Sequence, residues 1–418
     1  MTEPTYRPTN PLVGSPADAE MPRPLRQWTA GPALTVIAAS TLLSMAVWFS
    51  ATFVTPQLVV EWDLSSGETS LLTIAVQLGF VVGAVVSAMV GIADAVPSRR
   101  LMCAGALGAA VCNGGLLLSS GLATALPLRL LTGMFLAAVY PPAIKEVSTW
   151  FQSGRGKALG VMVGALTLGS ALPHLVNVFG DLDWHLVIAV TSILTALGGL
   201  LITVVHGQGS YPFPRRQVSI SGAFASLRNR NVALANLGYV GHMWELYAMW
   251  AGVGAFLATL PAIAASSNPQ ALASGLAFLC IGIGAVGCLV GGVLSDRKGR
   301  APAALICLVL SGGAALILSI TYTLLPVFVV VALCVFWGFW VIADSAQFSA
   351  LVTESADGDY VGSALSLQLA LGYLTTVFTL WLVPTLVAAT SWHVALAALA
   401  IGPAFGAVAM RRVASAST

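Results

Sequence analysis

Charged side chains are scarce in this sequence. Only 8% of its 418 residues are Asp, Glu, Lys or Arg, whereas 57% are hydrophobic. A water-soluble domain carries about 25% charged residues, so this chain cannot cover a water-facing surface of ordinary composition. Long apolar segments are the expected cause, since each helix that crosses a bilayer needs roughly 20 apolar residues. The composition therefore predicts a membrane protein and excludes an assembly of soluble globular domains.

Metal-ligand spacings and a cleavable signal peptide are missing as well. The six cysteines fall inside apolar segments, which is typical of small buried side chains and not of ligands or disulfides. Residues 1–30 contain prolines and charges but no apolar core, so they predict a disordered cytoplasmic tail. The net charge of +2 gives no indication of nucleic-acid binding. We therefore expect no metal, cofactor or nucleic-acid partner.

Twelve apolar runs account for most of the chain. They lie at roughly 31–59, 69–91, 101–122, 125–148, 158–180, 184–206, 232–262, 270–294, 301–323, 326–352, 360–386 and 391–410. Spans of this length are helices, because lipid cannot satisfy the polar groups of any other backbone. The polar stretch 207–230 separates halves of similar size, 31–206 and 231–411. The sequence thus predicts an all-α membrane protein with 12 transmembrane helices, built by internal duplication.

The basic residues lie on one side of the predicted helices. All but two of the 18 Lys and Arg residues fall in the two terminal segments or in the loops after even-numbered runs. The other two, Arg129 and Lys145, lie inside the fourth run. Acidic residues occupy the opposite loops: Glu61, Asp63, Glu68, Asp181 and Asp183. The positive-inside rule therefore predicts a cytoplasmic central loop and cytoplasmic termini, in the inner membrane of a cell.

One charged loop motif occurs twice. Residues 292–300, Gly-Val-Leu-Ser-Asp-Arg-Lys-Gly-Arg, follow the eighth run, and a weaker copy at 91–100 follows the second. Asp94 and Asp296 are 202 residues apart, about half the chain. The motif resembles the signature loop of the major facilitator superfamily. The resemblance covers about residues 30–412 and implies two six-helix bundles with pseudo-two-fold symmetry, which rock around a cavity lined by helices 1, 4, 7 and 10.

The charged residues of these two loops are candidates for a conformational latch. An Asp at a membrane-edge turn can accept backbone N–H groups at a helix start and pair with an Arg. Such contacts can form in one state of a rocking bundle and break in the other. The alternative is a solvated turn whose charges only set the topology. The candidate latch residues are Asp94, Arg99, Arg100, Asp296, Arg297 and Arg300.

The fourth and fifth runs contain further family patterns. Arg129, Gly133 and Ala137 share one helix face at four-residue spacing, and small residues there permit close helix contact. They resemble a second motif of the family, whose Arg is associated with proton coupling. The family's antiporter motif wants Pro and Gly where this chain has Ala165 and Ser170. Drug–proton antiport is therefore disfavoured.

Ionisable residues inside apolar runs mark the candidate site, because each costs about 2.5–3.5 kcal/mol to insert. His242 and Glu245 are three residues apart, so they share a helix face and together could carry a proton. The alternative is a neutral Glu245 bonded to a neighbouring helix. Asp344 is a candidate for substrate or proton binding, or else for an ion pair with Lys145 or Arg129. A bend is predicted at Pro141–Pro142.

The site prediction divides these residues by role. Predicted substrate-binding residues are Trp48, Lys145, Trp337, Trp340, Asp344 and Gln347. Predicted proton-coupling residues are Arg129, His242, Glu245 and Asp344. Secondary candidates are Gln77, His174, Asn177, Gln368 and Tyr373.

The functional hypothesis is a monomeric, proton-coupled symporter for a small polar solute, working by alternating access in a lipid bilayer. Arg129 and Lys145 favour an anionic solute. The first alternative is an exporter of drugs or amphipathic toxic compounds, which the many tryptophans would suit. The second is an intramembrane enzyme, and the sequence disfavours it because it offers no catalytic constellation.

Overall fold

The architecture was obtained as a computed structural model that describes residues 28–90, 92–151, 155–178, 182–206, 209–211, 220–357 and 361–415. Twelve long helices make up most of these residues, which contain no strand. The first six are α1 (Ala30–Trp62), α2 (Ser66–Val90), α3 (Ser98–Leu118), α4 (Leu122–Trp150), α5 (Arg155–Asn177) and α6 (Trp184–Val204). The second six are α7 (Arg230–Ala258), α8 (Pro269–Lys298), α9 (Arg300–Thr321), α10 (Val327–Ser355), α11 (Val361–Ala389) and α12 (Trp392–Ala414).

The predicted all-α membrane fold is confirmed. Eleven of the described helices are long and apolar enough to cross a bilayer. The twelfth, α7, has 29 residues but is more polar, since it contains Asn236, His242 and Glu245. Residues 1–27 of the predicted tail and 212–219 of the predicted central loop lie outside the described residues.

Several helices are interrupted near their middle. α1 passes through a short 3₁₀ segment at Met45–Val47, and its α-helix resumes at Ser50. α4 breaks after Leu136 and restarts at Tyr140, which confirms the predicted bend at Pro141–Pro142. Both prolines lie in the first turn of the new segment, where a backbone N–H has no helical acceptor to lose. α10 breaks in the same way between Val341 and Ser345.

The helices form two bundles that meet along matching helix pairs. In the first bundle α2 packs on α4 and α3 on α6, and in the second α7 packs on α11 and α12. Between the bundles, α2 packs on α11 and α5 on α8. A two-fold axis that exchanges each helix of the first bundle with its counterpart in the second converts the α2–α11 pair into the α5–α8 pair. The packing is therefore what an internal duplication produces.

Glycines allow the closest of these helix contacts. A Cβ at Gly133 would lie 2.0 Å from the Val76 carbonyl oxygen, and one at Gly79 would lie 1.9 Å from the Leu130 carbonyl oxygen. Neither distance is possible for real atoms, so α2 and α4 can touch only where both glycines are present. This contact agrees with the close approach predicted from the spacing of Arg129, Gly133 and Ala137.

We expect Gly133→Ala to lower the stability of the first bundle by about 1–3 kcal/mol, because the added methyl forces α2 and α4 apart. Thermal unfolding of the purified protein, followed by size-exclusion chromatography with fluorescence detection, measures the effect. The matched control is Gly313→Ala, since no described atom lies within 4 Å of the Cβ position there. Equal melting temperatures for the two variants would contradict the prediction.

Candidate functional site

Arg129 stabilises the break in α1. Its side chain is fully buried on α4, and its three nitrogens donate to five acceptors. Three acceptors are main-chain oxygens, of Val47 at 3.1 Å, Trp48 at 2.7 Å and Leu72 at 3.3 Å. The other two are Ser50 Oγ and Asn113 Oδ1, at 3.3 and 3.0 Å.

These bonds follow from the local structure of α1. Because the helix is interrupted near Trp48, carbonyls there lose their usual partners and need a donor within the bilayer. A guanidinium has five N–H groups in a fixed plane and can serve several such acceptors together. All five partners of Arg129 are uncharged. The arrangement thus connects α1, α2, α3 and α4 through one cation.

Glu245 joins three helices of the second bundle. It is 1% exposed, on α7. Trp337 of α10 donates its indole N–H to Glu245 Oε1 at 2.6 Å, and Ser311 of α9 donates its hydroxyl to Oε2 at 2.8 Å. The sequence left open a Glu245 bonded to neighbouring helices, and these are its contacts. In each bundle one buried ionisable side chain therefore joins the first, third and fourth helices. It is the cation Arg129 in the first bundle and the acid Glu245 in the second.

His242 pairs with Asp344. His242 Nδ1 lies 2.8 Å from Asp344 Oδ1, and both side chains are about 1% exposed. Asp344 lies at the break in α10, immediately before its second segment. The His242–Asp344 contact has the distance of an ion pair but not the geometry of a hydrogen bond, since neither Asp344 Oδ1 nor His242 Nε2 has a hydrogen-bond partner among the described residues. The structure thus places three titratable groups, Glu245, His242 and Asp344, inside the second bundle, with His242 and Glu245 directed at different partners.

Four aromatic rings from the two bundles pack against one another. Trp48 and Phe80 come from the first bundle, and Tyr247 and Tyr373 from the second; we call these four residues the aromatic seal. Trp48 lies 5.1 Å from Phe80, 5.7 Å from Tyr247 and 5.9 Å from Tyr373, measured between ring centroids. The hydroxyls of Tyr247 and Tyr373 are 3.1 Å apart. All four rings are buried, so they form a packed contact between the two bundles.

A cavity of about 160 Å³ lies beside this seal, between the bundles. We call it the interbundle cavity. Its walls come from α1, α5, α7 and α8, and exposed Gln270 lies at its mouth. The lining residues are Phe49, Thr52, Phe53, Pro56, His174, Trp250, Ala251, Gly254, Ala255, Ala258, Gln270, Ala273 and Ser274.

The predicted substrate-binding residues do not form one group. Trp48 is in the aromatic seal, and Trp337 and Asp344 point into the second bundle. The remaining three are placed as follows: Gln347 donates to the Gly291 carbonyl at 3.4 Å, Trp340 is half-buried against Phe339, and Lys145 is half-buried near the end of α4.

Two of the secondary candidates lie where the bundles meet. His174 lines the interbundle cavity, and Tyr373 belongs to the seal. Gln77 is fully buried, and neither atom of its amide has a partner among the described residues. Gln368 bonds to Ser349 and to the Phe348 carbonyl within the second bundle. The side chain of Asn177 lies outside the described residues.

The candidate latch residues form ion pairs that are similar in the two halves. In the first, Arg99 of α3 pairs with Glu146 of α4 at 3.4 Å and also donates to the Val205 carbonyl. In the second, Arg300 of α9 pairs with Glu354 of α10 at 3.2 Å.

Asp296 also reaches the other bundle. It pairs with Arg300 at 3.5 Å, and a Cβ at Gly156, in the first turn of α5, would lie 3.4 Å from Asp296 Oδ1. Arg100 and Arg297 are exposed, and the side chain of Asp94 lies outside the described residues.

The sequence matches a family model, and the fold matches solved structures. Residues 37–376 match the family model described as Major Facilitator Superfamily. No curated protein matches the chain. The fold is similar to that of the xylose transporter XylE from E. coli in a partially occluded inward-open conformation, with 15% identity, a TM-score of 0.67, and 92% of this chain and 97% of that chain covered. It is also similar to a bacterial homologue of the human lysosomal transporter Spinster, inward-facing and unoccupied, with 15% identity, a TM-score of 0.65, and coverage of 91% and 97%.

Proposed function

Because the chain belongs to the Major Facilitator Superfamily, a family of secondary transporters of small solutes, we propose that it is a proton-coupled symporter that works by alternating access. Membership and fold support the class of protein, a multi-pass membrane transporter. The proton coupling rests on the buried acids of the second bundle.

Glu245 is the observation that carries the proposal. Each of its oxygens has one neutral donor, and no described cation forms an ion pair with it. A carboxylate charge held in such surroundings is costly, and binding a proton removes that cost. α7 also supplies Tyr247 to the seal and Trp250 to the interbundle cavity. A movement of α7 that admits water to the site would therefore lower the cost of the charge and release the proton.

The His242–Asp344 pair is the second element of the proposed proton path. It lies one helical turn from Glu245 along α7, and it joins α7 to the break in α10. An imidazole nitrogen and a carboxylate oxygen can each bind a proton, so this pair can accept a proton that Glu245 releases. Interruptions in membrane helices are tolerated where the backbone borders a polar site, as at this break.

The charge of the solute needs a separate argument. The anionic preference rested on Arg129 and Lys145, but the five bonds of Arg129 are all made within the first bundle. Lys145 is then the remaining support for an anion, and it lies near the end of α4 and not in the interbundle cavity. We therefore propose a small solute whose recognition does not depend on Arg129.

The proposed location is the inner membrane, with both termini and the central loop in the cytoplasm. The support is the distribution of Lys and Arg, because the loops after even-numbered helices carry them and the opposite loops carry Asp and Glu. All the contacts of the proposed proton path lie within one chain, so we propose that a monomer is sufficient.

Coupling can be tested once a transported solute is in hand, which thermal-shift screening of the purified protein against a metabolite library would supply. Proteoliposomes with an internal pH dye then report both fluxes. With the outside more acidic by one pH unit, the wild-type protein is expected to accumulate the solute about tenfold and to acidify the lumen. Glu245→Gln is expected to exchange the solute without accumulating it, because the amide cannot release a proton.

The matched control is Glu68→Gln, an exposed acid whose partner is Ser65 at the start of α2. This variant should accumulate the solute like the wild type. If wild-type uptake ignored the gradient, or if Glu245→Gln remained fully coupled, the proton role would be lost. Accumulation driven by an acidic lumen would indicate export by antiport, the alternative left open by the sequence.

A further inference from the structure

The interbundle cavity has walls without charge. None of the described residues that line it is Asp, Glu, Lys or Arg. Three of its aromatic side chains, Phe49, Phe53 and Trp250, come from both bundles. In these surroundings the desolvation of a charged solute would not be offset by an ion pair. The lining favours an uncharged, flat solute that can lie against aromatic rings.

Two buried nitrogens in the cavity wall have no partner. His174 is 94% buried and Trp250 is 99% buried, as their exposed fractions of 6% and 1% show. Among the described residues, neither His174 Nδ1 nor Trp250 Nε1 has a hydrogen-bond partner. Buried polar atoms in native proteins are nearly always satisfied, so each of these two requires an explanation. A bound solute would supply the missing partners.

The two nitrogens also belong to different bundles. His174 lies on α5 and Trp250 on α7. The His174 ring lies against α7 one turn after Trp250, since a Cβ at Gly254 would be 3.4 Å from His174 Cε1. A single solute that bonds to both would therefore bridge the bundles at the place where alternating access moves them apart.

Cavity volume limits the size of the solute. An engineered apolar cavity of about 150 Å³ holds one benzene ring. We propose that the interbundle cavity binds an uncharged, single-ring solute whose acceptor takes the indole N–H of Trp250 and whose other polar atom bonds to His174. This inference names the substrate class for the transporter proposed above and rests on that function. It assigns recognition to α5 and α7, away from the acids of the second bundle.

Three probes of one shape test the charge requirement. Benzamide is neutral, benzoate is its anionic counterpart and benzamidinium its cationic one. Equilibrium binding of each radiolabelled probe to the purified wild-type protein can be measured by scintillation proximity. We expect benzamide to bind and the two ions to bind at least about tenfold more weakly, because neither charge finds a partner in the wall.

Variants of the wall test the two contacts. Trp250→Phe keeps an aromatic ring but removes the N–H, and His174→Leu removes the imidazole; each is expected to weaken benzamide binding about tenfold. Gly254→Ala adds a methyl beside His174 at an ordinary contact distance, so it should fold normally and reduce binding by filling the space. Matched controls are Trp381→Phe and His206→Leu, both at exposed positions. The controls should bind like the wild type.

Binding of benzoate or benzamidinium as tight as that of benzamide would overturn the inference. So would a failure of benzamide to bind, or wild-type affinity in folded Trp250→Phe and Gly254→Ala proteins. These outcomes are independent of the proton-coupling test, because that experiment uses whichever solute the library screen identifies. If benzamide failed to bind but transport stayed coupled to protons, the proposed function would stand without the ring-binding site. If benzamide bound but transport ignored the pH gradient, the binding site would stand without the proton coupling.

Discussion

Arg129→Gln is expected to lower the stability of the first bundle by about 3–5 kcal/mol and to reduce the yield of folded protein. The variant leaves acceptors of α1, α2 and α3 without their donor, and glutamine has too few N–H groups to replace them. Thermal unfolding and size-exclusion chromatography of the purified protein measure both effects.

Two opposing contributions decide the size of this effect. Removing a buried guanidinium recovers its desolvation cost, which is several kcal/mol for an ion in a protein interior. Hydrogen bonds to a charged group contribute about 1.5–3 kcal/mol each, and Arg129 makes five. The lost bonds therefore exceed the recovered desolvation. In addition, the buried Trp48 carbonyl loses its donor with no water to replace it, whereas the Val47 carbonyl keeps the hydroxyl of Ser50.

Arg129→Lys separates the structural role from a role of the charge. An ammonium keeps the charge but has three donors on a single atom, so it cannot reach acceptors on three helices. We expect this variant to be nearly as unstable as Arg129→Gln. The control Arg412→Gln, at an exposed position at the end of α12, should behave like the wild type. A stable Arg129→Gln protein that has lost only its response to pH would contradict the structural role and support the family's association with proton coupling.

Much of the fold could be predicted because the bilayer restricts the choices. Runs of about 20 apolar residues become helices there, and the paired charged loops locate the duplication. The bend at Pro141–Pro142 follows from the missing N–H groups of proline. The close approach at Gly133 follows from its spacing with Arg129, which places small residues on one face.

The partners inside the bundles could not be predicted from one helix at a time. The spacing of His242 and Glu245 shows that they share a face, but not which helix each one meets. Their partners, Asp344 for the first and Ser311 and Trp337 for the second, depend on how α7 is rotated against α9 and α10. Arg129 illustrates the same limit, because its acceptors are main-chain atoms that only the break in α1 makes available.

The interbundle cavity was missed for a different reason. Charged residues inside apolar runs are the sequence signal for a membrane site, and the described wall of this cavity has no Asp, Glu, Lys or Arg. His174 was only a secondary candidate, while Phe49, Phe53 and Gly254 have no sequence signal that separates them from ordinary membrane residues. Trp250 follows Glu245 and Tyr247 along α7, but aromatic residues of a membrane helix face lipid as often as a cavity. Only the meeting of α5 with α7 brings these side chains together.

Asp296→Asn is expected to weaken the contact between α5 and α8 and to shift the protein about two- to fivefold toward the state in which these two helices are apart. The carboxylate lies beside the first turn of α5, where the helix dipole favours a negative charge. Such a contact contributes about 0.3–1 kcal/mol for an exposed side chain like that of Asp296, which corresponds to a factor of about two to five. The asparagine keeps the shape of the side chain and loses the charge, so the effect reports electrostatics.

Cys288 offers a native reporter for this shift. It is buried on α8 against α5, where a Cβ at Gly160 would lie 3.3 Å from the Cys288 carbonyl oxygen. In a variant whose other five cysteines are replaced by serine or alanine, N-ethylmaleimide can react with this thiol only after α5 and α8 separate. We expect Asp296→Asn to label about two- to fivefold faster than the same background with Asp296 intact.

The control distinguishes a contact between bundles from one within a bundle. Glu354→Gln breaks the pair of Arg300 with α10 and leaves Asp296 beside α5, so its labelling rate should equal that of the background. If both variants labelled equally fast, the charged loop would act by stabilising the second bundle as a whole. If neither variant changed the labelling rate, the charges of this loop would serve only to set the topology. Removing a true latch contact must destabilise the closed state and so change the rate.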